Sequence, residues 1–425
     1  MSYLINKEKV SNSSGIGKPE LLAPAGDMEK LRMAILYGAD AVYLGGKDFS
    51  LRAGAGNFGL KEMAEGIDFA HARGARVYVA VNIFAQNQDL ENLPDYLQQL
   101  RNLKVDGLIV SDPGVISLAG KLVPEVPLHL STQANSINWA SVQFWADQGI
   151  KRVVLGRELT LNEIRLIREK VKIQLEVFIH GAMCLSYSGR CYLSRFFNDR
   201  DANQGDCSQP CRWRYVLQEE KRPGQYLPVD QDERGTYLLS SKDLCLLPYL
   251  PALIKAGINC FKIEGRMKSI HYVATVVRAY RLALDAYWAD PDKYVLDPDL
   301  LAELDKVSHR EYTSAFYVDG EKARQEADKT ITLEKGYLRS YDFVGLVTSY
   351  IVSSKMAVVE QRDPFRVGDV LEIVGPKSPP FKQQVQEMWN GAGEVIEVAR
   401  HPQEQITFLV DRPVEPWSLV RRSRN

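Results

Sequence analysis

The chain has 425 residues, of which 45% are hydrophobic and 25% are charged. This composition is typical of a globular protein, and it excludes a disordered chain, a collagen-like repeat and a coiled coil. Lys and Arg total 53 against 54 Asp and Glu, so the formal net charge is −1. Such a chain has no general attraction for polyanions, and any binding of nucleic acid must use a local patch.

The length favours two or three domains, or one large barrel with a small partner domain. Residues 1–18 are polar and predict a flexible tail. The N-terminal segment lacks the apolar region of a signal peptide, and no run of about 18 apolar residues predicts a membrane span. We therefore expect a cytoplasmic protein that does not enter a membrane.

Short apolar runs alternate with amphipathic helix patterns from residue 19 onward. The eight runs are residues 20–24, 41–46, 76–84, 107–112, 127–132, 152–158, 174–181 and 260–265. Such alternation is typical of βα units around a parallel sheet, and eight units predict an α/β fold, a (β/α)8 barrel of the TIM type, over residues 19–290. An open, doubly wound sheet is the competing fold. It usually carries a glycine-rich phosphate loop after its first strand, whereas the turn PAGD at 24–27 has one glycine.

Two regions depart from the βα pattern. About eighty residues separate the seventh and eighth runs, which predicts a functional, cysteine-rich insertion at about 182–245, before the last strand. After a helical connector at 291–340, strand-like runs follow one another closely. These runs predict a small all-β barrel at 341–425.

Four cysteines lie within 28 residues of the insertion: Cys184, Cys191, Cys207 and Cys211. In a cytoplasmic chain such a group indicates a metal site rather than disulfide bonds. The spacing leaves open a [4Fe–4S] cluster, a zinc site and unligated thiols, and the wide Cys184–Cys191 separation favours the cluster. Cys245 could replace Cys211 as the fourth ligand, or it could simply lie in the core.

Arginine and aromatic side chains alternate around these cysteines. They are Arg190, Arg195, Arg200, Arg212 and Arg214, with Tyr187, Tyr192, Phe196, Phe197 and Trp213. Such a mixture can hold phosphates and stack unpaired bases. The same arginines could instead pair with neighbouring aspartates in a shell around the cluster.

In a parallel barrel the chemistry lies at the carboxyl ends of the strands. The polar residues at these positions are Asn82, Asp112, Gln133, Arg157, Glu158, His180, Glu264 and Arg266. Three of them are candidates for catalysis. His180 precedes Cys184 by four residues and could transfer a proton beside the cluster, Glu264 could act as a general base, and Arg266 could clamp a carboxylate.

Binding candidates at the same strand ends are Lys262, Arg266 and Arg157. Lys262 shares one face of its strand with Glu264 because side chains alternate along a strand. For each residue there is a structural alternative: an ion pair inside the barrel, or a histidine that is satisfied at the barrel mouth.

Motifs of the common hydrolases are absent from the sequence. It contains no G-x-S-x-G elbow, no H-E-x-x-H pair and no P-loop. A cysteine protease needs a thiol activated by a nearby histidine. Cys184 and His180 meet this condition only superficially, because Cys184 is better explained as one of four metal ligands.

Four segments resemble the signatures of the peptidase U-32 (collagenase-like) family. They are EVFIHGAMCLSYSGRCYLS at 176–194, ELLAPAGDMEKLRMAILYGADAVYLGG at 20–46, FKIEGRMKS at 261–269 and HREYTSAFY at 309–317. The resemblance extends over about residues 19–425. It implies that the C-terminal segment is the small β-barrel of the family, which is similar to the second domains of elongation factors.

The segment RDANQGDCSQPCRW at 200–213 resembles one branch of this family. That branch hydroxylates the wobble uridine of tRNA to 5-hydroxyuridine, and it requires prephenate. The resemblance implies that the four cysteines ligate a [4Fe–4S] cluster and that the partner is the tRNA anticodon loop. It also implies that the chain could form a homo-oligomer, or a hetero-oligomer with a paralogue. From their positions at the strand ends, and not from the resemblance, we expect Arg266 together with Lys262 to hold the prephenate carboxylates.

Two other functions compete with tRNA hydroxylation. The family name implies an endopeptidase, whereas structural zinc on the cysteines would make the chain an RNA-binding scaffold.

Overall fold

The structure is a computed structural model of the chain. It describes residues 17–50, 56–184, 186, 190–191, 193–200, 202, 206–212, 217–218, 226–227, 230–232, 235–237, 240–317, 331–332 and 337–424. The predicted flexible tail, residues 1–18, lies outside the described residues except for its last two positions.

Eight parallel strands close into a barrel. They are β1 Glu20–Pro24, β2 Ala41–Gly45, β3 Arg76–Val81, β4 Gly107–Val110, β5 Leu128–Leu130, β6 Arg152–Val154, β7 Gln174–Ala182 and β8 Cys260–Ile263. Each strand pairs with the next, and β8 pairs with both β7 and β1. The predicted (β/α)8 barrel is therefore confirmed.

Helices surround the barrel and extend beyond it. They are α1 Met28–Leu36, α2 Leu60–His71, α3 Asn87–Asn102, α4 Pro113–Leu122, α5 Trp139–Asp147, α6 Leu161–Lys170, α7 Leu193–Asn198, α8 Leu250–Lys255, α9 Ile270–Ala289 and α10 Pro298–Leu304. Several begin at a side-chain cap that accepts a free backbone N–H of the first turn, as Asp27, Asp112 and Ser269 do. None of the described helices is long and apolar enough to cross a membrane.

The insertion between β7 and β8 returns to the barrel through a short strand, Asp243–Cys245, which runs antiparallel to β7. The segment expected to be a helical connector contains the helix α10 and then a strand, Tyr312–Thr313, which pairs with Asp243–Cys245. The buried carboxylate of Asp243 holds this strand in place, because the Arg310 guanidinium donates to it at 2.8 and 2.9 Å.

Short strand pieces complete the region around the insertion. They are Leu217–Gln218, Tyr226–Leu227, Asp230–Asp232, Gly235–Tyr237, Ser240–Ser241 and Ile331–Thr332. The first four form two antiparallel pairs within the insertion, and Ser240–Ser241 pairs with Ile331–Thr332 from beyond α10.

The C-terminal domain is all-β, as predicted. Its curled antiparallel sheet consists of Tyr341–Ile351, Met356–Gln361, Val370–Val374, Phe381–Gln384, Met388–Trp389, Val395–Ile396, Gln405–Leu409 and Leu419–Ser423, and a separate pair joins Phe365–Arg366 to Val398–Ala399. Buried positions alternate along Met356–Gln361, so one face of the sheet lies on the apolar core of this half-barrel.

The two domains share buried contacts. Leu346, Val374 and Leu419 of the C-terminal domain belong to the hydrophobic core of the barrel. The hydroxyl of Tyr37, after α1, lies 2.8 Å from the carbonyl oxygen of Val374 and 2.9 Å from that of Trp417. It also accepts the backbone N–H of Leu419 at 3.3 Å. One barrel side chain thus satisfies backbone groups of two C-terminal strands.

We expect Tyr37→Phe to lower the free energy of unfolding by about 1–3 kcal/mol, because buried backbone groups lose their hydrogen-bond partner. Chemical denaturation measures the change. Tyr350→Phe, at a half-buried tyrosine of the C-terminal sheet, is the matched control and should change stability by less than about 0.5 kcal/mol. Equal losses in the two variants would contradict a special role for the Tyr37 hydroxyl.

Candidate active site

A cavity of about 90 Å³ opens at the carboxyl ends of the barrel strands. Five of the residues predicted at strand ends line it: Asn82, Gln133, Arg157, Glu264 and Arg266. The space holds several water molecules or a small organic ion. Lys262 also lines it, so three cations face one carboxylate, and this charge balance favours an anionic ligand.

The guanidinium of Arg266 is buried beside the loop that follows β2. It donates to the Ser50 hydroxyl at 2.8 Å and to the side-chain oxygen of Asn57. Two glycines make room for Arg266. A Cβ atom at Gly45 would lie 2.6 Å from a terminal nitrogen of Arg266, and one at Gly26 would lie 2.2 Å from its carbonyl oxygen. The arginine is thus held in one position before any ligand arrives.

Arg157 follows β6 on another side of the cavity. It donates to the carbonyl oxygen of Ala182 at 2.8 Å, and its guanidinium carbon lies 3.8 Å from the centre of the Phe178 ring. The Nε atom is buried and has no hydrogen-bond partner among the described residues. Arg157 therefore has a donor left for a ligand oxygen, and Phe178 fixes the plane of the guanidinium.

Lys262 lies on the floor of the cavity in a buried chain of ion pairs. Its Nζ lies 2.8 Å from the Glu176 carboxylate. The Arg152 guanidinium lies 3.3 Å from the same carboxylate and 2.7 Å from the carboxylate of Glu20. Burial raises the pKa of Glu176, but the two cations outweigh it and lower the pKa to about 2. A ligand carboxylate at Lys262 would compete with Glu176, so this lysine is a weaker binding candidate than the two arginines.

Glu264 is half-buried at the end of β8 and faces the cavity. Its carboxylate accepts the backbone N–H of Ala182 at 3.3 Å. The next residue, Gly265, has a φ of 140°, which a side chain would strain, and it turns the chain from β8 towards Arg266. Glu264 is thus a carboxylate within reach of a ligand and suited to accept a proton.

His180 does not line the cavity. It is buried on the outer side of β7, where the rings of Tyr312, Tyr280 and Tyr272 lie 5.3, 5.6 and 5.9 Å from its own. Burial lowers the pKa of His180 to about 3, so the ring is neutral at pH 7. The structure brings Glu264 and Arg266 together at the cavity, whereas the His180 side chain lies elsewhere.

Two other strand-end residues also lie away from the cavity. Asp112 caps α4 by accepting the backbone N–H groups of Gly114 and Val115, and Glu158 does not belong to the cavity lining.

All six cysteines are described, and none forms a disulfide. Cys184 and Cys207 are exposed, and Cys191 and Cys211 are half-buried. Thiols of this kind suit a soft metal or an iron–sulfur cluster. Within the described residues, however, no three His, Cys, Asp or Glu side chains are close enough to share a metal ion. The thiol donors fit such a group, while the described residues do not by themselves form a preformed metal site.

Cys245 differs from these four cysteines because it lies in the core. Burial raises the pKa of its thiol to about 11, and the hydroxyl of Tyr280 forms a hydrogen bond with its sulfur. The position favours Cys211 over Cys245 as a fourth ligand on the insertion.

The insertion contacts the cavity rim through Arg190, next to Cys191. The Arg190 guanidinium donates twice to the carbonyl oxygen of Gln133, at 3.1 and 3.0 Å. Further along, Arg200 pairs with Asp206 on the surface. Of the predicted arginine and aromatic residues, Tyr187, Tyr192, Trp213 and Arg214 lie outside the described residues, as do the side chains of Phe196 and Arg212.

Several cavity residues were not predicted. Ser131 and Thr132 end the fifth apolar run, directly before Gln133. The expectation that chemistry lies at the carboxyl ends of the strands, called here the strand-end rule, applies to them as well. Tyr43 lies inside β2 and donates to the carbonyl oxygen of Ile263 at 3.0 Å. Because Tyr43 lies within a continuous apolar run, the sequence pattern did not distinguish it from core residues.

A family model described as peptidase family U32 matches residues 26–327, and a model of the U32 C-terminal domain matches residues 339–421. The chain belongs to peptidase family U32. Among curated U32-like relatives, tRNA hydroxylation protein P1 of Bacillus subtilis is 43% identical over 100% of this chain and 98% of its own length.

Two further relatives carry names that refer to RNA. The tRNA hydroxylation protein P of Escherichia coli is 38% identical to this U32 chain, over 90% of the chain and 91% of that protein. The 23S rRNA 5-hydroxycytidine C2501 synthase of Escherichia coli is 36% identical over 84% of the chain and 52% of that protein.

In this U32 chain we expect Lys262→Met to lower the free energy of unfolding by about 3–5 kcal/mol at pH 7, because the Glu176 carboxylate loses its nearest buried cation. The folded pKa of Glu176, about 2, lies below its ordinary 4.5. Its contribution to stability is therefore present above pH 4.5 and is lost as the pH falls towards 2.

Unfolding free energies at several pH values test this expectation. The loss of stability between about pH 4.5 and 2 should be smaller in Lys262→Met than in the unmodified chain. Lys61→Met, at an exposed lysine of α2, is the control and should leave the pH dependence unchanged. An unaltered acid limb in Lys262→Met would show that Glu176 does not depend on this lysine.

Proposed function

We propose that the chain is an RNA-modifying hydroxylase that converts the wobble uridine of tRNA to 5-hydroxyuridine. One observation carries this proposal: 43% identity over the whole chain to a protein named for tRNA hydroxylation. The relative named for rRNA 5-hydroxycytidine synthesis supports hydroxylation of RNA as the general activity. The cavity at the barrel mouth is where a (β/α)8 fold carries its chemistry.

The co-substrate proposed for the cavity is a small carboxylate, prephenate. Arg266 and Arg157 bind its carboxylates, since guanidinium groups offer paired donors that match carboxylate oxygens. Glu264 accepts or returns a proton at the reacting group. Lys262 supplies positive charge from the cavity floor while it remains paired with Glu176.

The cysteines Cys184, Cys191, Cys207 and Cys211 are proposed to ligate a [4Fe–4S] cluster. When bound, such a cluster supplies one-electron transfer. The support is that all four thiols lie outside the buried core on one insertion, whose residue Arg190 touches the cavity rim.

Nucleoside analysis of cellular tRNA tests the activity. In cells that lack this gene and any paralogue, the chain should restore 5-hydroxyuridine. Glu264→Gln should lower the product at least about 100-fold if the carboxylate acts as a general base. Arg366→Lys, at an exposed arginine of the C-terminal domain, is the control and should restore normal levels. Persistence of 5-hydroxyuridine in the deletion strain would overturn the proposal.

Iron and sulfide analysis after anaerobic purification tests the cluster. The chain should contain about four iron and four sulfide ions. Cys211→Ser should lose most of this iron, whereas Cys245→Ser should keep it because that thiol is buried in the core. Zinc without iron would instead support the RNA-binding scaffold. A colourless protein that degrades gelatin would support the endopeptidase.

A further inference from the structure

Three segments meet at one point on the rim of the cavity. Asn82 at the end of β3 and Gln133 after β5 both line the cavity. Phe84 follows Asn82, and Arg190 reaches this place from the cysteine-rich insertion. The Arg190 guanidinium carbon lies 5.6 Å from the centre of the Phe84 ring, and two of its nitrogens donate to the Gln133 carbonyl oxygen. The Arg190 cation and the Phe84 ring therefore lie together at the backbone of Gln133, a residue that lines the cavity.

The guanidinium of Arg190 has a fixed plane although the residue is exposed. Nε and one terminal nitrogen both bond to a single carbonyl oxygen, and this limits rotation of the group. Unpaired bases stack on aromatic rings and on guanidinium planes of this kind. Because the plane is already oriented, stacking a base against it requires little further ordering of the side chain.

The side chain of Gln133, which lines the cavity, has an unused acceptor. Its Oε1 atom is buried and has no hydrogen-bond partner within the described part of the chain. A carboxamide offers one acceptor and two donors side by side. Uracil presents the complementary pair, the N3–H donor next to the O4 acceptor. Enzymes that act on an extruded base commonly hold it by stacking and by bonds to this edge.

We infer that Phe84, Arg190 and Gln133 form a base-reading site for the target uracil of the RNA substrate. Arg190 and Phe84 provide the stacking surface. Gln133 accepts N3–H and donates to O4. The inference rests on the proposed RNA substrate and adds to it the residues that recognise the base.

Binding of an anticodon stem–loop RNA tests the site without requiring turnover. The RNA carries either uridine or an abasic residue at the wobble position, and fluorescence anisotropy measures each dissociation constant. The unmodified chain should bind the uridine RNA about tenfold more tightly than the abasic RNA, as expected for one stacked base. This ratio isolates contacts to the base from contacts to the phosphates.

Stacking variants should bring the ratio close to one. Phe84→Leu removes the ring, and Arg190→Lys keeps the charge but removes the plane. The matched controls are Phe144→Leu, at an exposed ring of α5, and Arg165→Lys, at an exposed arginine of α6. Both controls should keep the ratio of the unmodified chain.

Gln133→Glu tests the reading of the base edge. A carboxylate can accept N3–H but cannot donate to O4, so affinity for the uridine RNA should fall about tenfold. Affinity for the abasic RNA should fall less, by the repulsion between the added charge and the RNA phosphates alone, so the ratio of the two affinities falls. Continued binding of the abasic RNA also shows that the variant is folded.

The inference is overturned if the unmodified chain binds both RNAs equally. It is also overturned if Phe84→Leu, Arg190→Lys and Gln133→Glu all keep the original ratio. When either result accompanies normal cellular 5-hydroxyuridine, only the base-reading site fails. Failure of the proposed function is a separate result: 5-hydroxyuridine would persist in cells that lack the gene and any paralogue.

Discussion

Pairing of charges inside the barrel is the constraint on which the rest of the structure depends. Glu20, Arg152, Glu176 and Lys262 come from β1, β6, β7 and β8 and are all buried. A buried charge without its partner costs several kcal/mol, so each of these residues requires the next one in place. All of these ion pairs form only when β1, β6, β7 and β8 are neighbours in the closed barrel. Of these four residues Lys262 lines the cavity, so a ligand there meets a cation that is already held by Glu176.

The cysteine-rich insertion is tied to the barrel at both ends. At its start, Ala182 accepts a hydrogen bond from Arg157 and donates one to Glu264. At its end, the fully buried Asp243 pairs with Arg310. A shift of Ala182 would therefore move a hydrogen-bond partner of both Arg157 and Glu264, which line the cavity. This connection gives a physical reason for the insertion and the cavity to act together, as the proposed function requires.

The alternation of apolar runs was sufficient to predict the barrel, and the strand-end rule found Arg157 and Gln133. The rule did not apply to His180, because the register between β7 and β8 shifts after Lys262 and places His180 opposite Ile263. That shift turns its side chain outward, and side-chain alternation in the sequence cannot reveal it. Spacing likewise could not separate Cys245 from Cys211, since burial depends on the strand that brings Cys245 back to β7.

The glycines beside Arg266 are further positions at which a substitution can disturb the cavity. Gly26 and Gly45 bear no functional group, yet one added carbon at either would overlap atoms of Arg266. They lie more than two hundred residues before it in the chain. A variant there would retain every chemically active side chain and still misplace one of them. The positions that matter for the cavity therefore include residues without any charged or nucleophilic group.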